Sequence, residues 1–179
     1  MRRRLLTPLL LLMCCGVPLP PNPVPVIIDD SFLPAERLGI ESAMASWHRA
    51  VPEIDFVVAY EPHAEVSVIA AADIGGGRVF VSRSVGVNDP SCPSDDRSIG
   101  VDNAVARTWQ EHDQTVVCID AVKTTQLHAW HKVAQHELGH VLGLGHYPPP
   151  SAMAPIVTDD AEEPTPGDIA RLRAVWGLP

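Results

Sequence analysis

The segment from His136 to His146, which reads HELGHVLGLGH, most constrains how this chain can fold. Because His136 and His140 are one helical turn apart, their side chains leave the same face of a helix and can share one metal ion at about 2.1 Å. His146 cannot continue that helix, since a rise of about 1.5 Å per residue would put it roughly 15 Å beyond His136. Gly143 can adopt the positive φ that ends a helix and turns the chain back. The spacing therefore predicts three imidazoles around one metal ion.

Glu137 directly follows the first of these histidines. Three neutral nitrogen ligands leave a fourth tetrahedral position for water, which is the open coordination of a catalytic zinc site. From position 137 a carboxylate can reach that water, act as general base and then protonate a departing amine. A bare H-E-x-x-H pattern also arises by chance on ordinary helices. The glycine at 143 reduces such chance matches roughly fourteen-fold, given an average glycine usage of about 7%.

Met153 lies seven residues after the last histidine, in the stretch SAMAP. The long histidine motif followed by this methionine resembles the metzincin signature of a zinc-binding helix and a Met-turn. Strands, a zinc helix, a Met-turn and one closing helix, in that order, resemble the matrixin branch and its bacterial members. The motif-bearing match covers His136 to Gly177, with a looser match in the order of elements upstream. The resemblance implies an α+β fold with one catalytic domain. It also implies a twisted, mostly parallel five-stranded sheet with an antiparallel edge strand.

The resemblance also implies roles for individual residues. The zinc ligands of the family fall on the three histidines of the motif, His136, His140 and His146. Its catalytic acid/base falls on Glu137. Met153 falls on the methionine beneath the metal, and Asp168 on an aspartate that supports the Met-turn. Pro155 falls in the segment that lines the substrate pocket, where Val157 replaces a common tyrosine and predicts a smaller, more apolar wall.

The composition of residues 1–15 predicts an export signal. Arg2 to Arg4 precede the apolar run Leu5 to Met13, which is too short to cross a bilayer. The sequence LLMCC resembles a lipoprotein box, although the residue before either cysteine is not the usual Gly or Ala. Two forms therefore stay open for an exported, extracellular or cell-envelope protein. One is freely secreted, and the other is lipid-anchored at Cys14 or Cys15. Residues 16–25 predict a proline-rich linker, and residues 26–179 the catalytic domain.

The net charge of −9 gives no electrostatic footprint for nucleic acid. Contact with a membrane is expected only through the N-terminal anchor, and the chain is expected to be a monomer that acts on polypeptide substrates. After export, Cys92 and Cys118 would form a pair in an oxidising compartment. We expect a disulfide there, with two buried free thiols as the alternative.

The segment from Ser84 to Asp102 is rich in acidic and amide side chains. Such oxygens could hold Ca²⁺, but their spacing matches no EF-hand, and a solvated loop attached through Cys92 is the alternative. The sequence further predicts a first strand at 26–29, a third strand at 66–70, a hairpin arm at 78–82 and a long helix at 127–142. An extended substrate is expected to pair with a strand at 104–109, with 78–82 as the second choice.

Together these features predict a zinc-dependent endopeptidase that hydrolyses peptide bonds of extended polypeptides through a metal-activated water. The alternative is a non-catalytic, zinc-containing surface lipoprotein that binds peptides or a protein partner. Glu137 favours the enzyme, since a protein that only binds would not need a base at that position.

Overall fold

The computed structural model describes residues 19–61, 77–85, 105–111, 114–156 and 161–179, without the side chains of residues 59–61. Five strands form one sheet in the order β2-β1-β3-β5-β4. Their bounds are β1 Val24–Asp29, β2 Phe56–Glu61, β3 Arg78–Ser84, β4 Ala106–Glu111 and β5 Gln114–Asp120. β1, β2, β3 and β5 pair in parallel, whereas β4 pairs antiparallel with β5 at one edge. The predicted five-stranded, mostly parallel sheet with an antiparallel edge strand is confirmed.

Helices complete the α+β fold, with bounds α1 Pro34–Ala50, α2 Ala121–Gln126, α3 Trp130–Val141 and α4 Pro166–Trp176. The core between sheet and helices is apolar and includes Ile28, Trp47 and Leu138, each at most 1% exposed. The indole of Trp47 on α1 donates a hydrogen bond of 2.8 Å to the carbonyl of Gln135 on α3. Burial of this apolar surface and the bond together hold α3 against α1. No helix in the described ranges is both long and apolar enough to cross a membrane.

Several sequence-based boundaries differ from the structure. β1 begins at Val24 rather than Val26, so the end of the predicted linker belongs to the sheet. Pro25 is tolerated because it lies where β1 pairs with β2 but not yet with β3, whose pairing begins at Val26. The predicted hairpin arm at 78–82 was wrong, since β3 lies inside the sheet between β1 and β5. The predicted third strand at 66–70 lies outside the described residues.

The helix predicted at 127–142 begins later in the structure, and a separate short helix precedes it. α2 ends at Gln126, and α3 begins only at Trp130. His128 lies between them with a φ of 50°, which an α-helix does not allow. α3 packs against α1 and also contacts β4 and β5.

Candidate metal centre and active site

α3 and the turn after it bring three imidazoles together. The Nε2 atoms of His136 and His140 lie 3.0 Å apart, and those of His140 and His146 lie 3.2 Å apart. Gly143 has a φ of +91°, which ends α3 and returns the chain toward it. One potential ligand atom from each histidine lies within 4.8 Å of the others. The convergence predicted from the histidine spacing is therefore present.

Two of the imidazoles are oriented by backbone carbonyls. The Nδ1 atom of His136 lies 3.1 Å from the carbonyl oxygen of Ala152, and Nδ1 of His140 lies 2.8 Å from that of Leu144. A neutral imidazole that donates through Nδ1 presents the lone pair of Nε2, so both rings have the tautomer that a metal requires. Three nitrogens placed about 2.1 Å from one tetrahedral ion lie about 3.4 Å apart, close to the observed spacing. The donor set thus fits Zn²⁺.

The surroundings of these imidazoles favour their neutral forms. Burial, reinforced by the neighbouring imidazoles of His140 and His146, lowers the pKa of His136 from 6.5 to about 4. Burial is also the main cause of the lowered pKa of His140. Because only a neutral imidazole can bind a metal ion, these two ligands do not have to lose a proton on binding at neutral pH.

Glu137 is directed from α3 toward β4, and 6% of its surface is exposed. The hydroxyl of Thr108 donates a hydrogen bond of 2.6 Å to its Oε2 atom. Burial raises the pKa of Glu137 from 4.5 to about 7, although the Thr108 bond and the charge of Arg107 act in the opposite direction. A carboxyl group with a pKa near neutrality can both accept and return a proton. Thr108 could not be identified from the sequence, because nothing in a single strand shows which of its residues faces Glu137.

Met153 packs against α3 at Gly139, which lies between His136 and His140. It is fully buried, and a Cβ placed on Gly139 would lie 2.2 Å from its Sδ atom. Only a glycine at 139 lets the methionine approach the helix this closely. The backbone N–H of Tyr147 donates to the carbonyl of Met153 at 2.8 Å, which connects the chain after His146 to the Met153 segment.

Asp168 on α4 holds the segment around Met153 through hydrogen bonds to the two residues that precede the methionine. Its carboxylate accepts hydrogen bonds from the hydroxyl of Ser151 at 2.5 Å and from the backbone N–H of Ala152 at 3.0 Å. Ser151 in turn accepts a bond of 2.9 Å from the backbone N–H of Met153. Since the carbonyl of Ala152 orients His136, Asp168 acts on both the methionine and a metal-binding imidazole. Thr165 and Arg171 also donate to the Asp168 carboxylate.

A small cleft opens beside His136, between α3 and the chain after Met153. Its lining includes Lys132, Ala154, Ile156 and Ala161. Pro155 lies in the same segment, but its side chain is exposed and does not line the cleft. Val157 lies outside the described residues. The assignment of these two residues to a substrate pocket stays a prediction.

Other predicted sites fall partly outside the structure. Cys118 is buried on β5, whereas Cys92 is not among the described residues, so their pairing stays a prediction. Nearly all of the acidic segment proposed for Ca²⁺ also lies outside the described residues, and no observation supports calcium binding. Within the described ranges, the three histidines are the one group of His, Cys, Asp or Glu side chains placed to share a metal ion.

Comparisons with known proteins agree with this geometry. The family model for Matrixin matches residues 34–177. The fold is similar to High choriolytic enzyme 1, a hatching enzyme zinc-protease from the medaka fish Oryzias latipes, at a TM-score of 0.52 and 14% identity. That match covers 87% of this chain and 90% of the fish protein. It is also similar to archaemetzincin from Methanopyrus kandleri, at a TM-score of 0.50 and 16% identity, over 86% and 96% of the two chains. No curated protein sequence matches the chain.

Proposed function

Because the chain belongs to the matrixin family, we propose that it is a zinc-dependent endopeptidase that hydrolyses peptide bonds in extended polypeptides. One observation carries the proposal: three Nε2 atoms converge beside a buried carboxylate, that of Glu137. Three protein ligands leave a position open for water or substrate, as in catalytic rather than structural zinc sites.

The chemistry divides between the metal and Glu137. His136, His140 and His146 would hold Zn²⁺, which when bound acts as a Lewis acid on the scissile carbonyl and on water. Glu137 takes a proton from the attacking water and delivers it to the departing nitrogen. Its raised pKa of about 7 suits both steps near neutral pH.

β4 is the strand that we propose to bind the substrate backbone. It lies at an edge of the sheet, and among the described strands it pairs with β5 alone. Thr108 of this strand contacts Glu137, so a peptide added along β4 would pass the proposed catalytic residue. The second choice, residues 78–82, is excluded because β3 has neighbours on both sides.

We further propose that the protein acts outside the cytoplasm. The support is the apolar run Leu5 to Met13, which follows three arginines and directly precedes Cys14 and Cys15. Mass spectrometry of the mature N-terminus distinguishes a cleaved, unmodified chain from one with lipid at Cys14 or Cys15. An intact N-terminus that begins at Met1 would contradict export by this signal.

The endopeptidase proposal is tested with purified protein and a library of quenched fluorescent peptides. We expect chelator-sensitive cleavage that returns on addition of Zn²⁺. Glu137→Ala should bind Zn²⁺ at one equivalent but lose at least about a hundredfold in kcat, the scale of a lost general base. A Glu137→Ala protein that cleaves at the parent rate would contradict the assigned role. A parent protein that binds Zn²⁺ yet cleaves nothing would favour the alternative, a zinc-containing binding protein.

A further inference from the structure

We propose that Thr108 is a positioning residue for Glu137, which its hydroxyl holds in the orientation required for proton transfer. The inference rests on the proposed endopeptidase function and adds a residue that the histidine motif does not contain. Thr108 is 29 residues from Glu137 in the chain, on the edge strand rather than on α3.

The contact between the two side chains is close and directional. The Thr108 hydroxyl lies 2.6 Å from Oε2 of Glu137, a short distance typical of a hydrogen bond to a charged oxygen. The same hydroxyl oxygen lies 3.4 Å from the backbone carbonyl oxygen of Glu137, so the threonine contacts both the carboxylate and the backbone of this residue. In the described part of the chain no other hydrogen bond to this carboxylate is present.

A glutamate carboxylate needs such a contact to stay in one orientation. The terminal torsion of a glutamate side chain is broad and roughly two-fold, so by itself it does not fix where each oxygen points. One hydrogen bond to Oε2 fixes the plane of the group and leaves Oε1 for the water whose proton is removed. Holding reacting groups in the productive geometry is itself a large part of catalysis.

The position of Thr108 on β4 makes the contact rigid. Thr108 pairs with Val117 of β5, which is 2% exposed and belongs to the core. The β-branched threonine side chain also has restricted χ1 freedom, so its hydroxyl is presented to α3 with little loss of entropy. The edge strand proposed to align the substrate therefore also aligns the proposed base.

The test compares three variants by kcat, KM, zinc content and melting temperature. Thr108→Val keeps the shape of the side chain but removes the hydroxyl, whereas Thr108→Ser keeps the hydroxyl. The matched control is Thr115→Val on β5, because the Thr115 hydroxyl donates at 3.0 Å to Gln110 and not to Glu137. It removes one hydroxyl from the same sheet without removing a hydrogen bond to Glu137.

We expect Thr108→Val to lower kcat about tenfold or more, as for outer partners of metal-site residues, with KM within about twofold of the parent. Thr108→Ser should restore most of kcat, and Thr115→Val should change neither constant. A Thr108→Val protein that keeps the parent kcat, or a Thr108→Ser protein as slow as Thr108→Val, would overturn the proposal.

A second measurement does not depend on activity. The unfolding equilibrium of the full-length chain is compared for Thr108→Val, Glu137→Ala and the double variant. Because either substitution removes the same hydrogen bond, we expect their effects on the unfolding constant to be non-additive by about tenfold or more. Additive effects would overturn the proposal. A parent protein that cleaves no peptide would contradict the proposed function. A parent that cleaves while Thr108→Val is equally active would contradict the Thr108 role alone.

Discussion

Met153 packs so closely against Gly139 that a Cβ on the glycine would lie 2.2 Å from the methionine Sδ. Gly139 lies on α3 between His136 and His140, and the Met153 carbonyl accepts from the backbone N–H of the residue after His146. The contact therefore joins the two parts of the chain that carry the metal-binding imidazoles. It couples the packing of the core to the geometry of the site.

Gly139→Ala should consequently destabilise the protein and disturb the metal centre together. The added methyl group overlaps a fully buried side chain, so we expect a loss of about 1–3 kcal/mol in the free energy of unfolding. Zinc affinity should fall as α3 and the Met153 segment separate. The matched control is Gly145→Ala, where an added Cβ meets no atom within 4 Å. Equal stabilities of the two variants by thermal and denaturant unfolding would contradict this account.

Asp168→Asn should weaken the protein in a pH-dependent way. Burial alone would raise the pKa of Asp168, but hydrogen bonds from Ser151, Thr165 and Ala152 outweigh it and lower the pKa below 3.8. A carboxylate with a lowered pKa stabilises the folded state above its unfolded pKa, and the contribution disappears as the pH falls through the folded pKa. We expect the variant to lose about 3 kcal/mol at pH 7. The difference from the parent should shrink below about pH 4.

The measurement for Asp168→Asn is denaturant unfolding from pH 7 down to the acid transition. Asp30→Asn serves as the control, since Asp30 is exposed. A difference between parent and Asp168→Asn that stays constant down to pH 2 would contradict a contribution from the charged carboxylate.

Zinc should stabilise the folded chain through all three histidines. At a free zinc concentration about 100 times its Kd, the free energy of unfolding should rise by about 2.7 kcal/mol. His146→Ala removes the ligand that lies beyond the turn and should abolish most of this stabilisation. His48→Ala, which changes a half-exposed histidine of α1, should respond to zinc as the parent does. Differential scanning calorimetry with and without zinc measures the effect, and an unchanged response of His146→Ala would exclude this ligand set.

The predicted disulfide can be tested on the secreted protein. A proteolytic digest without reductant should contain one linked peptide with Cys92 and Cys118, and the parent should unfold at lower denaturant once it is reduced. The two positions are 26 residues apart, for which the chain-entropy model gives about 3 kcal/mol. Two alkylated free thiols in the unreduced protein would contradict the pairing.

Much of the site could be predicted because the relevant signals are local, whereas the architecture of the sheet was expected from the resemblance to matrixins. The spacing of His136 and His140 depends only on the helical period, and Gly143 was recognisable because a turn of this kind favours glycine. The prediction was wrong where local patterns are ambiguous. The alternating residues of β3 fit a hairpin arm as well as a parallel strand, and only neighbours on both sides distinguish the two. The predicted helix began three residues too early, because Leu127 and Ala129 extend the apolar pattern of α3 past the break at His128.

The sequence by itself determined the kind of site, because residue type and spacing along one helix decide which groups can share a metal ion. Tertiary structure alone decided which partners those groups have. The carbonyl of Ala152 orients His136, the Asp168 network supports the segment that carries that carbonyl, and Thr108 faces Glu137. These contacts join residues 16 to 29 positions apart, and they exist only after the sheet, α3 and α4 have packed. Side-chain periodicity gives the direction of a residue within its own element, but the packing of elements determines what it meets.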